Sequence, residues 1–143
     1  MADTLCVLDA SIAAPWFFVD EPTHRLSLRV RAEVVERPDV FVVPPLFHSE
    51  LLHVLARKSG ADAAFVASAI DLVLRLGIRT LPLSEAAWRR ASHWACRGMS
   101  GYDATYVALA EDLSGFWLTS DDRAAKRAGP KHTRTLKNWM RRR

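Results

Sequence analysis

A chain of 143 residues, half hydrophobic and a quarter charged, is sized and composed for one folded domain with its own core, which excludes a disordered chain. Its two cysteines, Cys6 and Cys96, show no CxxC spacing and argue against a secreted disulfide scaffold, while no apolar run approaches the roughly 18 residues of a membrane span. The net charge of +4 hides an acidic body, with 11 Lys/Arg against 16 Asp/Glu over residues 1–122, and a basic end, with nine Lys/Arg and no acid over residues 123–143.

The elements follow in chain order. Residues 5–9 are an apolar run closed by Asp9, which reads as a buried strand. Ser11 is placed to N-cap a helical turn running through Trp16 and Phe17. Residues 23–37 space Leu26, Val30 and Val34 by four, a helix that Pro38 ends. Residues 40–43 form a second strand, closed by Pro44 and Pro45, and residues 46–58 a helix ending at Gly60. Asp62 caps the next helix, which keeps a 3.6 period to Gly77. A short third strand at 78–81 precedes a helix opened by Ser84, and Ser100 opens another through Ala110. Residues 116–119 are a fourth strand, followed by a short helix from Asp122 and a fifth, edge strand over 132–136. Strands alternating with helices imply a three-layer α/β/α sandwich around a mostly parallel sheet of four to five strands. One domain is expected over residues 1–136, with a basic C-terminal tail over 137–143.

In open parallel sheets, sites form outside the carboxyl ends of the strands. Asp9 ends the first strand, and Asp121 follows the fourth by two residues. Glu50 and Asp103 lie early in helices that could start at the same edge. The four acids are 41, 53 and 18 residues apart in turn, so only a fold can gather them. Gathered, they repel: two like charges at about 4 Å do so by roughly 4 kcal/mol at an effective dielectric near 20. Such a cluster raises its pKa values or binds a divalent cation, and oxygen-only ligands suit Mg²⁺ or Mn²⁺. The chemistry that follows is phosphodiester hydrolysis by an activated water.

Each acid also has a structural explanation. Asp103 could complete a capping box with Ser100, and Asp121 could simply cap the last helix. Glu50 could sit on a solvated helix face, although its neighbours Phe47, Leu51 and Leu55 are apolar. Asp9, at the end of an apolar strand, is hardest to explain as structure. His48 and His53 lie about 140° apart around a helix and cannot form an i, i+4 zinc face. No GxGxxG, GxxxxGK[ST] or GxSxG pattern occurs. Trp16, Phe17 and Phe18 could stack bases or fill the core.

The order of the motifs resembles the PIN-domain family, particularly its VapC toxin branch. Val7-Leu8-Asp9-Ala10-Ser11 resembles that family's opening strand and first acid. The run from Pro44 to Leu55 resembles its second motif, with Glu50 as the acid. Ser100-Gly101-Tyr102-Asp103-Ala104-Thr105-Tyr106 resembles the third, and Leu118-Thr119-Ser120-Asp121-Asp122 the T-x-D motif. The resemblance implies a Mg²⁺- or Mn²⁺-dependent endoribonuclease that leaves 5′-phosphates. It also implies a homodimer and inhibition by a cognate VapB-like antitoxin. Asp9, Glu50, Asp103 and Asp121 carry over as the catalytic acids, with Asp9, Asp103 and Asp121 as metal ligands. Ser11 and Thr119 carry over as supporting hydroxyls, and Asp122 as an auxiliary acid or a helix N-terminal charge. A PIN-type nuclease of RNA processing, or a PIN module that binds RNA or a partner without cutting, stays open beside the toxin reading. The N-terminal segment lacks a basic n-region and does not read as a signal peptide, so a cytoplasmic protein is expected.

Overall fold

The computed structural model describes residues 3–141. Five strands form one sheet: β1 (Cys6–Leu8), β2 (Phe41–Val43), β3 (Arg79–Thr80), β4 (Phe116–Thr119) and β5 (Thr133–Thr135). Their order is β3-β2-β1-β4-β5, and every pairing is parallel. The helices among the described residues are α1 (Ala10–Ala13), α2 (His24–Glu36), α3 (Leu46–Lys58), α4 (Ala63–Arg75), α5 (Glu85–Cys96), α6 (Gly101–Asp112), α7 (Asp122–Ala128) and α8 (Leu136–Arg141). Every residue of β1, β2 and β4 is buried, as continuous apolar strands must be when helices cover both faces of a parallel sheet.

The expected α/β architecture is the one observed, with local differences. Asp9, not Ser11, caps α1: Asp9 keeps the extended backbone of the strand it ends (φ −80°, ψ 146°), and its carboxylate accepts the Ser11 amide. Ser11 is already helical. Asp62, Ser84 and Ser100 cap α4, α5 and α6 as their positions suggest. The third strand shortens to two residues, and Val40 belongs to a 3-10 turn, Pro38–Val40. Trp16, Phe17 and Phe18 pack in or against the core, and the Trp16 indole donates to the Ser27 carbonyl at 2.7 Å. Cys6 is buried in β1 and Cys96 exposed on α5, so the two do not pair.

Residues 136–141, which include the start of the basic C-terminal tail, are helical. Leu136 and Trp139 are buried in the core that α8 helps to close; residues 142 and 143 lie outside the described residues. No helix among the described residues is long and apolar enough to cross a membrane.

Two features set the height of the site. Seven consecutive residues of α6, Ala104 to Ala110, are buried, so this helix runs through the packed interior and delivers Asp103 at its first turn. Gly115 brings β4 down beside β1: a Cβ there would stand 2.3 Å from the Leu5 carbonyl oxygen. That oxygen also accepts the Phe116 amide, so it cannot retreat without losing the ladder. Gly115→Ala is expected to destabilise the fold by about 2 kcal/mol or more, read as a lower urea midpoint; an unchanged midpoint would show that the strands can separate freely.

Candidate metal centre

The chain leaves β1 for β2 on one side and later reaches β4 on the other, so the sheet's switch point is the crevice between the carboxyl ends of β1 and β4. Asp9 stands at the end of β1, and Asp121 two residues past β4. Glu50 arrives from α3, held half-buried by its neighbour Leu51 and by Phe47, both fully buried. Asp103 arrives from the start of α6, also half-buried.

Asp9 is 8% exposed, and both its carboxylate oxygens accept hydrogen bonds. The Ser11 amide reaches one at 2.9 Å and the Trp117 indole the other at 2.8 Å. Burial nevertheless pushes its pKa up to about 6, Glu50's charge adds to the rise, and donors that include the Thr119 hydroxyl oppose it. Glu50 is raised by burial and by Asp103, against a 2.6 Å hydrogen bond from the Tyr106 hydroxyl. Asp103 is raised by burial and by Asp121, against Ser100 and the Arg127 guanidinium. The four acids therefore sense one another in a row: Asp9, Glu50, Asp103, Asp121. Among the described residues no three acids, histidines or cysteines close into a cage around one point.

The structural explanations of the acids hold in part alongside this. Asp121 does cap α7, accepting the Ala124 amide at 3.1 Å, and Ser100 caps α6 through the Asp103 amide at 3.1 Å. Neither role consumes the whole carboxylate. The hydroxyls sit where they can brace the row. Ser11 Oγ accepts the Ser120 amide and Thr119 Oγ1 accepts the Asp121 amide, each at 3.1 Å. Asp122 is exposed in the first turn of α7, and the charge acting on Asp103 is that of Asp121. Glu111 lies away from the row, where its carboxylate accepts the Trp94 indole.

Two residues beside the acids escape a reading of acids alone. Tyr106 and Trp117 stack with ring centroids 5.9 Å apart and planes 12° off parallel. One ring donates to Glu50 and the other to Asp9. Their positions carried a signal: Trp117 shares the strand face of Thr119 two residues on, and Tyr106 lies three residues past Asp103 on one helix face.

An open row of carboxylates, raised by burial and by one another, fits a hydrated divalent cation. Mg²⁺ keeps several waters and takes only one or two carboxylates directly. A hollow of about 440 Å³ opens beside Glu50, lined by Leu46, Ser49, His53, Val54 and Tyr102. An apolar hollow of about 430 Å³ adjoins it through Leu46 and Tyr102, and there Trp88 and Tyr102 are exposed.

Comparison with known proteins bears on the family and the fold. The PIN domain family model matches residues 6–130. Among solved structures, the fold is similar to Mycobacterium tuberculosis VapC20, described as a sarcin-ricin loop cleaving toxin (TM-score 0.69, 18% identity, 85% of this chain and 93% of that one). It is similar to a toxin–antitoxin complex from Klebsiella pneumoniae (0.64, 14% identity, 92% and 97%). It is also similar to VapBC2 from Rickettsia felis, solved on a DNA fragment from its promoter (0.66, 11% identity, 92% and 98%). No curated protein sequence matches the chain.

Proposed function

Because this chain belongs to the PIN-domain family, we propose that it is a metal-dependent endoribonuclease and the toxin of a type II toxin–antitoxin pair. The observation that carries the reading is the row of four mutually repelling carboxylates at the sheet's switch point. Asp9, Asp103 and Asp121 would hold Mg²⁺ or Mn²⁺. When bound, the ion lowers the pKa of a water and neutralises charge on the phosphate.

The chain's own groups supply the rest. Glu50 has one oxygen committed to the Tyr106 hydroxyl, so the other is available to accept a proton from the attacking water and fix its direction. Its raised pKa makes it a better proton acceptor than an exposed glutamate. Ser11 and Thr119 tie the loop after β4 to the end of β1, which keeps Asp121 in register with Asp9. The Asp9 donors, Ser11 and Trp117, fix the angle of the innermost carboxylate.

The toxin assignment draws support from fold relatives that are toxins or toxin–antitoxin complexes. A VapB-like antitoxin is the partner it implies, in the cytoplasm. The apolar hollow with exposed Trp88 and Tyr102 supports assembly as a homodimer, since contiguous apolar surface marks interaction sites.

Purified protein is expected to nick RNA with Mg²⁺ or Mn²⁺, leaving 5′-phosphates, and to leave it intact in EDTA. Cleavage that persists in EDTA would overturn the metal-dependent reading. Induced expression should arrest growth; cleavage in vitro without arrest would instead assign the chain to RNA processing.

A further inference from the structure

The acid row poses a problem for its own substrate. Four carboxylates repel a phosphate chain, so RNA needs positive charge beside the row to be held there. The structure supplies it on two helices. Along α5 and its C-cap, Arg89, His93 and Arg97 recur every four residues on one face, with Arg90 alongside. On α7, Arg123, Lys126 and Arg127 share a face at spacings of three and four. All seven side chains are exposed.

The two faces are joined. The Arg127 guanidinium donates to the carbonyl of Gly98, the residue after Arg97, and its charge opposes the rise that burial and Asp121 impose on the Asp103 pKa. Positive surface therefore runs from α5 over Gly98 to α7 and meets the row at Asp103 and Asp121. Hollows of about 410 Å³ against Arg89, Arg90, His93 and Arg97, and of about 440 Å³ against Arg123, Lys126 and Arg127, lie along it. Trp94 lines the first hollow, with the Arg97 guanidinium 5.6 Å from its ring centroid. Acids border the face without closing it: Glu85 and Asp112 stand 4.0 Å from Arg89 and Arg90, a separation worth little on a surface. Glu111, which also lines the first hollow, accepts the Trp94 indole.

We propose that this α5–α7 face is the track that holds the phosphate backbone of single-stranded RNA as it enters the acid row. The proposal rests on the nuclease reading for the identity of the polyanion. It also relocates the work of the basic end: three of that segment's cations stand on α7, the helix that Asp121 caps, whereas Arg134 lies over the Phe116 ring, in a hollow with Asp3, Arg37 and Trp139.

The test is fluorescence anisotropy with a labelled single-stranded RNA of mixed sequence, wild-type protein and EDTA, across a salt series. Each neutralised phosphate contact contributes about 0.7 to the slope of log affinity against log salt for single strands. R89Q/R97Q and R123Q/K126Q are each expected to flatten the slope by about 1.4 and to weaken binding about tenfold at low salt. R25Q/R29Q, which removes two exposed cations of α2, should change neither. Equal losses in all three variants would show that only total charge matters, and unchanged binding in the track variants would also overturn the proposal. A polyglutamate peptide that competes as well as RNA would reassign the face to acidic protein. Track-dependent binding by a protein that never cuts, with Mg²⁺ supplied, would uphold the track and sink the nuclease reading instead.

Discussion

Asp9→Asn is expected to lower RNA cleavage by at least about a hundredfold, within the range for losing a group that acts on the reacting atoms. Asparagine preserves the volume at this buried position and is as good an N-cap as aspartate, so α1 should persist. What it removes is the negative charge at the centre of the row. Asp9 accepts hydrogen bonds through both oxygens, while asparagine offers one oxygen and one amide. Either Ser11 or Trp117 must then face a donor, which also turns the side chain. Raising the Mg²⁺ concentration should not restore the rate, because the loss is of ligand charge and not of occupancy alone. Unimpaired circular dichroism together with more than a tenth of wild-type cleavage would remove Asp9 from the chemistry.

The second large effect is on stability. The pKa of Asp9 rises from 3.8 to about 6 in the folded protein, chiefly through burial. The folded state thus holds this proton more tightly than the unfolded chain, and the benefit is complete below pH 4. Between pH 4 and pH 6 it is lost at about 1.4 kcal/mol per pH unit, some ~3 kcal/mol in all. Urea unfolding without divalent ions should show this fall and level off above pH 6. Asp9→Asn should flatten it by that amount, leaving the smaller decline of the same sign from Glu50 and Asp103. Superimposable pH profiles for the two proteins would mean that Asp9 is not buried as a charge. At pH 7, Mg²⁺ or Mn²⁺ at about a hundred times its dissociation constant should return some ~2.7 kcal/mol to the wild type.

Much of the architecture was legible because the central strands β1, β2 and β4 are apolar runs and helices α4 to α7 begin at an Asp or Ser whose side chain caps them. Asp9 stood out since an acid at the end of such a strand has few structural excuses. Asp121 was harder to judge from its position, and the structure shows why: it is at once the cap of α7 and a neighbour of Asp103. The Ser11 cap failed for a local reason, namely that the strand's extended backbone persists through Asp9 and makes that residue the cap.

Other features depend on the assembled fold. The Trp117–Asp9 hydrogen bond spans 108 positions, and only parallel pairing of β1 with β4 brings those residues together. The basic end is one charged block in sequence, yet Gly129 and strand β5 divide it, leaving three cations on α7, the helix that Asp121 caps, and burying Trp139 elsewhere.

The stacked pair of Tyr106 and Trp117 has a consequence for how the site responds to change. Asp9 and Glu50 are each hydrogen-bonded by one ring of the same stacked pair, so a shift of either carboxylate is transmitted through the stack toward the other. Perturbations at the two acids should therefore be non-additive, with substitution at either ring felt at both. The innermost acid and its neighbour behave as a single mechanical unit, and variation at position 117 is constrained by the residue at position 106 as much as by the acid it touches.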